Sequence, residues 1–170
     1  MEQQANRHYD TAPLGADVED TQRDKFLTFT LAGETYGIEV RHVREIVGLQ
    51  KITEVPDMPD FVRGVINLRG QVIPVMDVRT RFHMPPREYD DRTCVVVVRL
   101  ERSPIGLVVD TVDDVANIPA ESVSPPPSIS RGEASRYILG IGRVGDGVRI
   151  LLDVEKLLHE GELEALPENG

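Results

Sequence analysis

The sequence predicts an all-β protein built as two similar small barrels, and three observations carry that reading. Val, Ile and Leu dominate the middle of the 170-residue chain, aromatic residues make up 5% and Trp is absent, so the core is aliphatic and strand-forming. Alternating apolar stretches are joined by short turns containing Gly, the pattern of β-hairpins. The pattern also occurs twice. Gly37, Val40 and Val43 match Gly106, Val109 and Val112 at an offset of 69, and Gly64, Asp77 and Val78 match Gly140, Asp153 and Val154 at an offset of 76. The seven-residue difference fits a longer connection in the second copy, where a Pro-rich loop falls. Each copy reads hairpin, connection, then Gly–hairpin–Asp-Val. Closure into a barrel removes exposed strand edges, so two such units suggest paired barrels.

The elements follow in order. Residues 1–24 are polar without a period of 2 or 3.6 and read as a flexible tail. "KFLTFTLAGETYGIEV" alternates and turns at Ala32-Gly33-Glu34. In "GIEVRHVREIV", Ile38, Val40, Val43 and Ile46 are candidate core residues and Glu45 reads as surface charge. "GVINLRGQVIPVMD" (64–77) is a hairpin with its tip at Leu68-Arg69-Gly70-Gln71. Pro74 lacks an N–H, which suits an edge or an irregular strand. These elements make repeat one, about 25–85. Repeat two, about 92–160, opens with "TCVVVVRLERSPIGLVVD", whose four consecutive valines suit a strand covered on both faces. "SVSPPPSISRGEAS" is a Pro/Ser loop. "DVEKLLH" reads as a short amphipathic helix capped by Asp153, with Val154, Leu157 and Leu158 inward. Residues 161–170 form an acidic C-terminal tail.

Composition excludes several functions. Acids outnumber bases 29 to 19, a net charge of -10, and no basic stripe is visible, which argues against nucleic acid and against an anionic membrane surface. No apolar run is long enough to span a bilayer, and "MEQQANRHYD" lacks the layout of a signal peptide. A single Cys94 rules out an internal disulfide, and the expected compartment is the cytoplasm. His8, His42, His83 and His159 are scattered and make no metal spacing. Asp90-Asp91 and Asp113-Asp114 read as solvated charge, since neighbouring strand residues face opposite ways. Ser103 and Ser135 lack a nucleophile context. "GIGRVG" (140–145) fits a dinucleotide loop literally, but an apolar β run follows where a helix is required. A nucleotide-binding enzyme therefore stays a distant alternative. No catalytic residue, metal or cofactor is expected.

Arg69 stands out at its hairpin tip. The same offset in the second repeat gives Val144-Gly145-Asp146-Gly147, so turn chemistry does not demand Arg here. Two readings are open from physics alone: a solvated Arg whose stem covers apolar surface, or an anchor on a docking surface.

The segments "FLTFTLAGETYGIEV", "VREIVGLQKITEVPDMPDFVRGVINLRGQVIPVMDVR", "IGLVVDTVDDV" and "YILGIGRVGDGVRILLDVEKLL" together resemble the CheW family of chemotaxis coupling proteins, over roughly 25–160. The resemblance implies two packed, five-stranded SH3-like barrels and a role without catalysis or cofactor. It implies an adaptor between the cytoplasmic tip of chemoreceptors and the regulatory domain of the histidine kinase CheA, in arrays under the inner membrane. The same scaffold role in a non-flagellar chemosensory pathway, such as pilus motility, is the alternative. Carried onto this sequence, the family's receptor-binding residues are Val43, Glu45, Asn67, Arg69 and Val112. The receptor tip is a helical hairpin, so an apolar groove flanked by Arg and Glu suits it. A second kinase contact maps to Ser128 and Ile129. The family pattern there is acidic then aromatic, and this departure puts that contact in doubt. Cys94 matches a small apolar family position near the groove, and its expected role is a buried hydrophobe.

Overall fold

The computed structural model describes residues 22–99, 103–126 and 136–158. Among the described residues, eleven strands and two short helices follow one another: β1 (Lys25–Leu31), β2 (Glu34–Glu39), β3 (Val43–Gly48), β4 (Val62–Leu68), β5 (Gln71–Asp77), α1 (Val78–Arg81), β6 (Cys94–Arg99), β7 (Pro104–Val109), β8 (Thr111–Asn117), β9 (Val123–Ser124), β10 (Ile138–Val144), β11 (Gly147–Leu152) and α2 (Val154–Leu158). Their lengths and alternation make the chain mostly β, as its composition requires.

The strands form a six-stranded sheet, β8-β1-β2-β11-β10-β9, and a five-stranded sheet, β3-β6-β7-β5-β4. Neither sheet is one sequence repeat. Hairpin β1–β2 sits with β10–β11, and hairpin β6–β7 sits with β4–β5. The chain crosses between sheets after β2, through the 3-10 turn Val40–His42, and again at Asp110 between β7 and β8. The repeat is therefore real in sequence, but each barrel borrows a hairpin from the other copy. Similarity at a fixed offset identifies equivalent strands without saying which ones pair. The two parallel junctions make the exchange reciprocal: β5 meets β7 at Val75↔Gly106, and β11 meets β2 at Leu151↔Gly37. The repeat offsets convert one pair into the other, so an approximate two-fold axis relates the barrels. The sixth strand reflects a small difference. Ser124 pairs with Ile141 inside the short β9, whereas Thr53 makes only an isolated bridge to Val65.

Three apolar clusters hold these sheets. The largest is shared by both barrels and helix α2, and includes Phe29, Ile38, Met76, Val96, Val98, Leu107, Val109, Leu152 and Leu157. Val95 and Val97 belong instead to the interior of the five-stranded barrel, with Ile66, Ile73 and Val75. The four valines of β6 thus serve two cores from one strand, and all four are fully buried. A small third cluster, Phe26, Ile118 and Leu151, fills the other barrel.

Helix α2 follows the expected pattern. Asp153 Oδ1 accepts from the Lys156 N–H at 3.1 Å, and Val154, Leu157 and Leu158 are buried. Helix α1 is its counterpart, capped by Asp77 Oδ1 on the Thr80 N–H at 3.2 Å. Of the two expectations for Pro74, the edge strand fails, because β5 is interior between β7 and β4, while the β4–β5 ladder is irregular near its start. Val65 exchanges its backbone hydrogen bonds with Thr53, so the Val65↔Pro74 pair asks no N–H of Pro74 on that side. The ladder to β7 starts one residue later, at Val75. "GIGRVG" runs along β10 into a turn, and a strand, β11, rather than a helix comes directly after it. A Cβ at Gly140 would lie 2.6 Å from Val123 Cγ1, so this glycine lets β9 cross closely. Among the described residues no helix is long and apolar enough to cross a membrane.

Candidate functional site

Strand β3 is an edge of its sheet, with β6 as its ladder partner and a register shift between Val43 and Glu45. Its side chains alternate, with Val43, Glu45 and Val47 half-buried and Arg44, Ile46 and Gly48 exposed. Ile46, a candidate for the core, is therefore on the outer face and 42% exposed. Val43 packs on the cluster shared by the two barrels.

The β4–β5 hairpin brings its tip back to this edge. Leu68 pairs with Gln71, leaving Arg69 and Gly70 as a two-residue loop with φ of 52° and 87°. Positive φ at both centres marks a type I′ turn, which matches strand twist but strains any residue with a Cβ. The Asn67 side chain supports the loop, its Oδ1 accepting from the Gly70 N–H at 2.9 Å. Arg69 remains 64% exposed, and its Nη2 donates to Glu45 Oε2. Beside it, Arg44 Nη1 donates to Gln71 Oε1 at 3.3 Å. Two side-chain contacts thus tie the hairpin tip to β3.

Val112 lies on the other sheet, opposite Phe29 in β8, and packs half-buried on the same shared cluster as Val43. The two valines are mates under the two-fold repeat. The structure therefore brings Glu45, Arg69 and the Asn67-supported turn together. Val43 and Val112 each pack on the shared cluster, one from each sheet. Cys94 is half-buried against that cluster, with its Sγ 3.4 Å from the Arg92 carbonyl oxygen. Ser128 and Ile129 lie outside the described residues. Among the described residues no group of three or more His, Cys, Asp or Glu is placed to hold a metal ion.

The CheW-like domain family matches residues 25–162. This chain belongs to that family. It is 40% identical over 150 residues to the Chemotaxis protein CheW of Klebsiella aerogenes, covering 88% of this chain and 90% of that protein. It is 33% identical over 163 residues to the Chemotaxis protein CheW of Treponema pallidum, covering 94% of each. Among solved structures, the scaffolding protein TtCheW from Thermoanaerobacter tengcongensis superposes with a TM-score of 0.76 at 33% identity, over 84% of this chain and 97% of that one.

This CheW-like domain holds a second polar cluster that the sequence reading missed. Asp110, at the crossover from β7 to β8, is nearly buried. It accepts Nε and Nη2 of Arg79, both at 2.9 Å, and the Ala32 N–H at 3.0 Å. Arg87 approaches the same carboxylate at 3.2 Å. Arg79 comes from α1, Ala32 from the β1–β2 turn and Arg87 from the segment joining the repeats, so one carboxylate ties both barrels. Burial by itself would raise the Asp110 pKa, but the bonds from Arg79 and Ala32, with the charge of Arg87, outweigh it and hold the carboxyl below its ordinary range. The same bond raises the Arg79 guanidinium further. The nearby Tyr89 hydroxyl donates to Asp77 Oδ2 at 2.5 Å, and burial together with that carboxylate pushes its pKa upward. No signal in the sequence foretells the Asp110 cluster. Its members are spread from residue 32 to residue 110, and its two-fold counterpart at position 41 is an Arg.

Proposed function

We propose that this chain is a non-catalytic adaptor of the cytoplasm, coupling the cytoplasmic tip of chemoreceptors to the regulatory domain of the histidine kinase CheA in arrays under the inner membrane. The observation that carries this reading is the fixed display of Arg69. A mostly exposed Arg occupies a strained turn position and is held by Glu45 of edge strand β3. Turn chemistry alone would favour Asn or Gly there.

In this reading Val43 and Val112 bury the apolar face of a receptor helix. Arg69 and Glu45 set its register through charged hydrogen bonds, and Asn67 holds the turn that presents Arg69. The CheW-like fold and the names of its relatives support the coupling role. The second kinase contact maps to Ser128 and Ile129, where this chain departs from the family's acidic-then-aromatic pattern. The affinity of such an adaptor rests on a few anchors plus multivalency.

The test is co-purification of a soluble receptor-tip fragment and the CheA regulatory domain with wild type and with Arg69→Ala. The expected result is that wild type retains both partners and the variant retains only the kinase domain. Retention of neither by wild type overturns the coupling role. Equal retention of the receptor fragment by the variant overturns the receptor surface.

A further inference from the structure

Helix α1 carries two arginines two residues apart, and their guanidinium groups are treated differently. Arg79 presents its Nε–Nη2 edge to Asp110 in a bidentate pair. Arg81 is 93% buried by its 7% exposure, yet the same Nε–Nη2 edge has no acceptor among the described residues. Its faces are covered. Cζ lies 4.3 Å from the centre of the Phe61 ring and 4.7 Å from that of Tyr137. Cation–π contact satisfies the faces of a guanidinium and leaves its edge donors wanting an acceptor. The Tyr137 hydroxyl, on one of the covering rings, is buried and unpartnered too.

Phe61 and Tyr137 are mates under the 76-residue offset. Phe61 O accepts from the Asp77 N–H and Tyr137 O from the Asp153 N–H, both at 2.7 Å. The midpoint of a two-fold pair lies on the axis, so Arg81, nearly equidistant from both rings, sits beside it. Its own mate is Leu157 in α2, which is therefore beside the axis as well. A cation in one copy occupies the place of a leucine in the other.

We propose that the aromatic cradle of Arg81 is a carboxylate-binding site, and that its occupant is the acidic segment following α2, residues 159–170. That segment holds Glu160, Glu162, Glu164 and Glu168 with no Lys or Arg, and interleaves Leu163 and Leu166. A carboxylate matches the unpartnered Nε–Nη2 edge of Arg81 as Asp110 matches that of Arg79. Leucines between the acids suit the surrounding rings. Reach is sufficient. Leu157, the mate of Arg81 beside the same axis, is the residue before Leu158, and each further extended residue adds about 3.4 Å, so Glu162 can lie up to about 14 Å from Leu158.

The test uses the full chain with Glu160→Gln, Glu162→Gln, Glu164→Gln and Glu168→Gln together, in the wild-type and Arg81→Met backgrounds, with thermal unfolding as the readout. The expected outcome is a midpoint lowered by about 5 °C in the wild-type background and unchanged in the Arg81→Met background. An equal effect in both backgrounds, or none in either, overturns the proposal and leaves water or a partner's carboxylate as the acceptor. If Arg81→Met does not fold, the Arg81 Nε–Hε resonance of the folded glutamine variant decides. A shift with faster solvent exchange supports the site, and an unmoved resonance overturns it.

Discussion

Arg69 and Glu45 are joined across the open side of a sheet, the first on the tip of the β4–β5 hairpin and the second on edge strand β3. An exposed ion pair of this kind contributes about 0–1 kcal/mol. The left-handed backbone of Arg69 costs a similar amount relative to glycine. The two nearly cancel, so stability does not explain this side chain.

Replacing Arg69 should therefore separate folding from partner binding. Arg69→Gly removes the ion pair and relieves the backbone, so its urea midpoint should match or slightly exceed that of wild type. Arg69→Ala keeps the strain and should lose roughly 1 kcal/mol or less. Both should lose most retention of a receptor-tip fragment. A variant that unfolds would make Arg69 a structural residue.

A charge placed in the shared cluster should act in the opposite way. Ile38 and Val109 are buried in the cluster that joins the barrels. Ile38→Asp or Val109→Asp leaves an unpaired carboxylate in an apolar site, a cost of several kcal/mol and comparable to the stability of a whole domain. Neither variant should show a cooperative unfolding transition by circular dichroism. Folded, well-dispersed amide spectra from either would contradict the core assignment.

What the sequence shows most clearly is local. The four valines of β6, the Ala32-Gly33 turn and the capped helix α2 each follow from periodicity or from one turn residue, and the structure places them accordingly. Pairing across the chain was not legible. Strand exchange depends on which hairpin closes which barrel, and a repeat offset is the same for exchanged and unexchanged units. Helix α1 was missed because Arg79-Thr80-Arg81 reads as solvated polar chain, although Arg81 is buried between rings. Ile46 was placed inward on its hydrophobicity, although strict strand alternation from Val43 puts positions 43 and 46 on opposite faces. For the candidate site, the turn and its Arg were visible in the sequence, whereas the partnership with Glu45, 24 residues away, needed the fold.

Gly106 should tolerate no side chain, because it lies where the exchanged hairpin meets its host barrel. A Cβ there would come within 2.7 Å of Val95 Cγ1 and 2.9 Å of Val75 Cγ1. Valine side chains are stiff, and both neighbours are fully buried, so the strain falls on the β5–β7 ladder. Gly106→Ala should cost about 1–3 kcal/mol, read as a lower urea midpoint. An unchanged midpoint would mean that the junction is looser than these distances require.

Asp110 should make stability depend on acid. Its folded pKa lies below the ordinary aspartate value of about 3.9, so an unfolded chain takes up a proton at this group more readily than a folded one. The stability contributed by the Arg79–Asp110 pair is then complete above about pH 4–5 and is lost as pH falls through the folded pKa. Asp110→Asn removes the charge while Arg79 stays nearly buried, so at neutral pH it should cost about 2–4 kcal/mol. The gap between wild type and variant should narrow as pH drops from about 5 to about 2, because the wild-type carboxyl is itself being neutralised. Urea midpoints across that range, for both proteins, measure this directly. A constant gap would assign the effect to lost geometry rather than lost charge, and the crossover between the barrels would then be held by hydrogen bonding alone.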